Sequence, residues 1–199
     1  MGDPEVVLDF WFGRLGEETP LPAERFRLWF GGGAQTDRLV AERFSRDVEK
    51  AAAGNYDGWR ATPRGTLALL LLLDQFPRNI YRGTPRAYAY DARALTVCLD
   101  GLAVGQDRPL LTVERAFFYL PLEHAEDPLL QERSVTAFAG LLREAPEALR
   151  EMCRGFLDYA ERHRAIIARF GRFPHRNAVL GRRSSAGEEA FLREPGSSF

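Results

Sequence analysis

The sequence predicts an all-α protein of about nine short helices, packed as antiparallel pairs. Three observations carry that prediction. A capping side chain followed by proline recurs at Asp3-Pro4, Thr62-Pro63, Thr84-Pro85 and Asp127-Pro128, which puts an acceptor at a helix start and a proline where no backbone donor is missed. Between these marks apolar residues recur at three- and four-residue spacing, the period of one helix face. No segment alternates apolar and polar residues between hairpin turns, so strands are not expected.

Taken in order, the first helix spans 4–12 behind Asp3, and a second spans 22–30. The third, 37–53, shows Val40, Phe44 and Val48 at every fourth position and ends at Gly54, a residue suited to a helix end. The fourth, 63–75, carries Leu67, Leu70, Leu71 and Asp74 on one face. It is expected to stop at Phe76-Pro77, because proline removes a donor and disfavours helix at the residue before it. The fifth, 85–104, carries Tyr88, Ala92, Leu95, Leu99 and Leu102 and ends at Gly105. Helices 112–119, 128–143 and 146–170 follow. The last, 186–193, starts at the capping box Ser185-Ala186-Gly187-Glu188. These form one domain, 1–194, with a tail, 195–199. The loop 13–21 and the tail are the expected mobile pieces.

Bulk composition is that of an ordinary globular chain of 199 residues, 45% hydrophobic and 28% charged. A net charge of -1 gives no reason to expect nucleic acid or an anionic membrane as partner. The longest apolar run, Leu67 to Leu73, is 7 residues, against about 20 needed to span a bilayer. The two cysteines, Cys98 and Cys153, lie far apart in helical patterns and read as core residues of a reduced, cytoplasmic protein. The acidic start Met1-Gly2-Asp3-Pro4-Glu5 does not read as a signal peptide. The 27 basic residues include one lysine, Lys50, so nearly every cation here is a planar fork able to pair two-pronged with carboxylate or phosphate.

A near-repeat draws attention to a site. Asp74-Gln75-Phe76-Pro77-Arg78-Asn79 returns as Arg172-Phe173-Pro174-His175-Arg176-Asn177. Each copy joins an apolar segment to a Phe-Pro break and then to Arg-Asn, so two like-built corners could converge on one polar site. Between them, Pro121-Leu122-Glu123-His124-Ala125-Glu126-Asp127-Pro128 brackets three carboxylates and a histidine with prolines. Acids so close call for a cation. The stretch from Arg162 to Arg183 supplies seven arginines, His163 and His175, and no acid. His163, deep in a helical pattern, reads as structural. Neither Glu-x-x-His nor His-Glu-x-x-His spacing occurs, so no bound metal is expected. No Gly-x-Ser-x-Gly elbow supports a nucleophilic serine.

Four segments in their order, Leu8-Asp9-Phe10-Trp11-Phe12, Leu72-Leu73-Asp74-Gln75-Phe76-Pro77-Arg78-Asn79, Tyr119-Leu120-Pro121-Leu122-Glu123-His124-Ala125-Glu126 and Phe170-Gly171-Arg172-Phe173-Pro174-His175-Arg176-Asn177, resemble the bacterial uncharacterised-domain family 924. The resemblance covers nearly the whole chain. It implies an all-helical fold similar to tetratricopeptide-repeat proteins, a superhelical array of helix pairs, and it implies no particular chemistry. One departure is Ala125, where the family pattern more often has serine.

The expected function is that of a soluble helical domain with one polar site for a small anionic molecule. Asp74, Arg78, Asn79, Glu126, Arg172, Arg176 and Asn177 would bind the ligand. Glu123, His124 and His175 would move protons if a reaction occurs. Arg176 is expected to face an open pocket, Arg78 to pair internally, and at least one of the two to reach Glu123 or Glu126. A rival reading makes the corners structural staples of a module that docks a protein or peptide. A third is a metal-dependent enzyme using Glu123, His124, Glu126 and His175. Cofactor and oligomeric state are not indicated by any motif.

Overall fold

The computed structural model describes residues 2–15, 22–31 and 33–197. Part of the 13–21 loop and the last two residues of the 195–199 tail lie outside the described residues. Nine helices and no strand are present among the described residues. They are α1 (Pro4–Trp11), α2 (Ala23–Phe30), α3 (Ala34–Ala52), α4 (Pro63–Leu70, continuing through Leu71–Gln75 to Phe76–Ile80), α5 (Asp91–Ala103), α6 (Thr112–Glu123), α7 (Pro128–Glu144), α8 (Arg150–Phe170) and α9 (Ala186–Phe191). Among the described residues no helix is long and apolar enough to cross a membrane.

Local chemistry accounts for four of the nine starts among the described residues. Asp3 accepts the Glu5 N–H at 2.9 Å. Thr62 accepts from Gly65 at 3.1 Å. Asp127 accepts from Leu129 and Leu130 at 2.8 and 3.0 Å. Ser185 and Glu188 close the expected capping box. Each such cap is worth about 1 kcal/mol. Thr84 behaves differently. Its hydroxyl donates back to the Tyr81 carbonyl at 2.7 Å and caps nothing. The expected helix 85–104 is therefore a single 3₁₀ turn, Pro85–Tyr88, with α5 starting at Asp91. That break sets Tyr88 and Asp91 apart from a continuous helix face.

The core sits around α4. Leu67 through Leu73 are all buried, because α4 packs against α1, α3, α5 and α6 at once. Each fully buried leucine contributes about 1.5–3 kcal/mol. Phe117 of α6 packs edge-on against Trp11, Phe12 and Trp29. Helices α6, α7 and α8 continue the packing toward the C-terminal end. There α8 stops at Gly171, whose φ of 69° is the left-handed cap that favours glycine.

One close approach fixes the start of α4. A Cβ built on Gly65 would lie 2.2 Å from the Trp59 carbonyl oxygen and 2.8 Å from the Thr62 hydroxyl. Backbone must move to admit it. Gly65→Ala is expected to destabilise the fold by about 1–3 kcal/mol despite alanine's better helix propensity. Urea unfolding checks this, and an unchanged midpoint would contradict the packing described.

Candidate functional site

The first Phe-Pro does not stop its helix. Phe76 donates its N–H to the Leu71 carbonyl, five residues back. This π turn widens the helix just before Pro77, which has no N–H to give, so the ring fits without the expected break. Phe76 keeps helical φ and ψ of -64° and -36°. The carbonyl of Asp74 is taken instead by the Arg78 guanidinium at 2.6 Å. α6 likewise runs through Pro121 to Glu123 rather than ending at 119. The second Phe-Pro does break: Phe173 is extended, and Pro174–Arg176 form a 3₁₀ turn.

These elements place a compact charged cluster at the end of α6. The Asp74 carboxylate, 1% exposed, contacts His124 Nδ1 at 2.8 Å and Arg78 at 3.4 Å and accepts from the Gln75 amide at 2.5 Å. Arg78 forks onto Asp91 at 3.0 and 3.1 Å. Arg176 approaches the same Asp91 at 3.5 Å and donates to the His124 carbonyl at 3.1 Å, both through Nη1. Its guanidinium lies 4.8 Å from the Tyr88 ring and 4.5 Å from the Phe173 ring. Behind His124, Glu123 is buried with Oε1 3.4 Å from His163 Nδ1. His163 Nδ1 donates to the Tyr159 carbonyl at 2.8 Å.

The electrostatics divide the cluster. Burial would raise the Asp74 pKa, but Arg78 and His124 outweigh it and hold the group well below the ordinary carboxylate range. With Asp74 ionised, its contact with His124 requires the proton on Nδ1, which leaves Nε2 as the basic nitrogen. Burial, reinforced by Arg78, keeps His124 below its ordinary pKa, against the pull of Asp74. His163 is pushed down to about 3 by burial, with His124, Arg176 and His175 adding to it. Burial and then Arg176 push His175 down to about 4. Glu123 goes the other way, up to about 8, because it is buried and faces Asp74. At neutral pH the three histidines are therefore uncharged.

A model of the family described as bacterial protein of unknown function (DUF924) matches residues 7–196. The chain belongs to this family. A solved structure of a protein of unknown function from Agrobacterium tumefaciens is similar to the chain, with 36% identity, 96% of each chain covered and a TM-score of 0.81. A search of curated proteins finds no match.

In this DUF924 protein Asp74, Arg78, His124 and Arg176 come together, with Glu123 at their back. The two arginines share Asp91, so the corners do meet on one side. Neither arginine pairs with Glu123 or Glu126, contrary to expectation. Glu126 is instead forked by Arg182 at 2.6 and 2.9 Å and accepts the Phe173 N–H at 2.8 Å. Burial raises its pKa and Arg182 with the Phe173 amide more than reverses that. Arg176 is buried rather than facing an open pocket, since its side chain is 8% exposed against 21% for Arg78. His175 lies 5.6 Å from the Phe173 ring. The remaining residues turn elsewhere. Asn79 donates to Asp37 at 2.9 Å, Arg172 forks onto Glu188 at 2.7 and 2.9 Å, and Asn177 donates to the Ser184 hydroxyl at 3.1 Å.

Asp91, Tyr88 and Arg182 are absent from the sequence-based site. Asp91 and Tyr88 sit in an apolar helical pattern and join the cluster only through the broken 85–91 segment. Arg182 lies in the basic stretch, which was the one available signal. Two grooves, about 550 and 360 Å³, open away from the cluster. One is lined by α1, α2 and α3 and the other by the 57–60 turn and α5. Among the described residues no set of three or more His, Cys, Asp or Glu is placed to hold a metal ion.

Proposed function

We propose that the protein binds a small anion at the rim formed by Arg78, Arg176 and Tyr88, and that Asp74–His124 is the acid–base pair beside it. The observation that carries this reading is the dyad. A buried carboxylate orients an uncharged imidazole and leaves Nε2 basic, next to two guanidinium groups. That is the arrangement a general base needs: a fixed tautomer, a fixed ring and neutrality at working pH. Arg176 spends only Nη1 on protein acceptors, so its Nη2 is the donor offered to a ligand. Anions suit such a planar fork. A cytoplasmic small molecule bearing phosphate or carboxylate fits this rim.

Inorganic phosphate and malonate serve as probes. Thermal unfolding at fixed ionic strength, with chloride as control, is expected to show a dose-dependent rise in Tm for the parent protein. A ligand at 100 times its Kd adds about 2.7 kcal/mol. No rise with either probe would sink the reading.

One observation favours a second reading, a tetratricopeptide-like docking module with structural corners. Arg78, Arg172, Arg176 and Arg182 each already have a carboxylate within the fold, while the open groove lined by Val6, Phe10, Leu28 and Leu39 lies elsewhere. Equal Tm values with and without both anions support it.

A further inference from the structure

The buried carboxyl of Glu123 is the group the dyad does not use. Its side chain is 6% exposed. Oε2 has no hydrogen-bond partner in the fold. Among the described residues no arginine reaches ion-pair distance of it, although Arg78 and Arg176 both lie in the adjoining cluster. The groups around it come from three other helices and from its own. Asp74, on α4, brings negative charge. His163, on α8, stands at 3.4 Å and is uncharged, its Nδ1 proton already directed at the Tyr159 carbonyl. On its own helix, His124 follows directly. Gln131 of α7 donates to the Glu123 backbone carbonyl at 2.6 Å and not to the carboxyl. A carboxylate here would be a buried charge without a cation, beside a second negative charge. Such a charge is too costly to persist and takes up a proton instead.

We propose that Glu123 is a neutral carboxylic acid, a proton store behind Asp74–His124 that keeps the neighbouring rim receptive to anions and closes it on ionisation. The anion half of this inference rests on the functional reading above. The protonation half does not. With Glu123 neutral, the cluster holds Asp74 and Asp91 against Arg78 and Arg176. Loss of the Glu123 proton adds a third negative charge, which draws on the same guanidinium groups that would attract a ligand. Burial and Asp74 place that loss at about pH 8.

The sign follows from linkage. The folded state keeps the Glu123 proton up to about pH 8, whereas an unfolded carboxyl releases it near 4.5. Between these values the folded state binds more protons, so parent stability declines as pH rises. Glu123→Gln keeps the shape and removes the titration. In ligand-free protein, the ratio of its folding constant to the parent's is expected to rise about tenfold per pH unit through this window and to level off above it. A ratio that stays flat, or falls with pH, would overturn the protonated acid. Infrared difference spectra with isotope-labelled glutamate offer a check that needs no variant. A protonated carboxylic C=O band should be present at neutral pH and vanish with a midpoint near 8. Its absence at pH 7 overturns the proposal even if Glu123→Gln fails to fold.

Sulfate, whose charge is constant over this range, tests the second half. Its protection against thermal unfolding should fall several-fold in the parent above pH 8 and persist in Glu123→Gln. Equal loss in both proteins overturns the gating. No sulfate protection at any pH, with the ligand-free titration as expected, overturns the anion reading alone.

Discussion

Arg78→Ala is expected to lower folding stability by about 3–5 kcal/mol at pH 7, the loss seen when one partner of a buried pair is removed. Asp74 would keep its burial, with side-chain exposure of 2%, and lose its cation. The Asp74 carbonyl would lose the donor that occupies it in the π turn. Asp91 would retain only Arg176, at 3.5 Å. A surface pair sets the contrast. Arg60–Asp100, with exposures of 38% and 55%, should cost less than about 1 kcal/mol when broken.

The pH dependence adds a signature. In the parent, Asp74 sits below its ordinary pKa of 3.8. Its contribution is present above that value and is lost only as pH falls through the lower folded value. Without Arg78, the largest lowering cause is gone and burial pulls the Asp74 pKa upward from its folded value. The deficit of Arg78→Ala should then shrink as pH falls toward 4, because a protonated Asp74 needs no cation. Urea melts at pH 7 and pH 4 test this. An equal deficit at both would mean that Arg78 acts through packing alone.

The helix starts at Asp3, Thr62, Asp127 and Ser185 were legible because a cap and its acceptor are neighbours in sequence. Pro77 and Pro121 misled for the same reason. Their local rule says stop, yet a π turn accommodates Pro77 and helix α6 continues through Pro121 under tertiary packing. The candidate site divides in the same way. Asp74, Arg78, His124 and Arg176 stand out as motifs, and the fold gathers them. Asp91 carries no mark in sequence, since its role depends on Thr84 bonding backward and shortening the helix ahead of it. The near-repeat overstated the symmetry. Arg78 and Arg176 converge, but Asn79 and Asn177 follow different backbones and reach Asp37 and Ser184.

Arg176 separates a ligand site from a structural corner. Its side chain is packed between Tyr88 and Phe173 and is nearly buried. Truncation to alanine removes that packing, the bond to the His124 carbonyl and one cation of Asp91. The expected cost is about 2–4 kcal/mol. Arg176→Met restores the stem and should recover much of it, because Asp91 still holds Arg78 in a two-pronged pair. Burial already lowers the Arg176 pKa, with Arg78 adding to it, so the fold itself resists this cation. Natural sites often trade stability for function in this way. Arg176→Lys is the decisive variant. It keeps the charge and loses the planar fork. If the rim binds an anion, this variant should melt near the parent and lose most of the phosphate-dependent rise in Tm. If Arg176 is architecture, the variant should be destabilised as alanine is, and phosphate should shift neither protein. Calorimetric melts of the parent and the three variants, with and without phosphate, distinguish the two, and full phosphate protection in Arg176→Lys would remove the guanidinium from the proposed site.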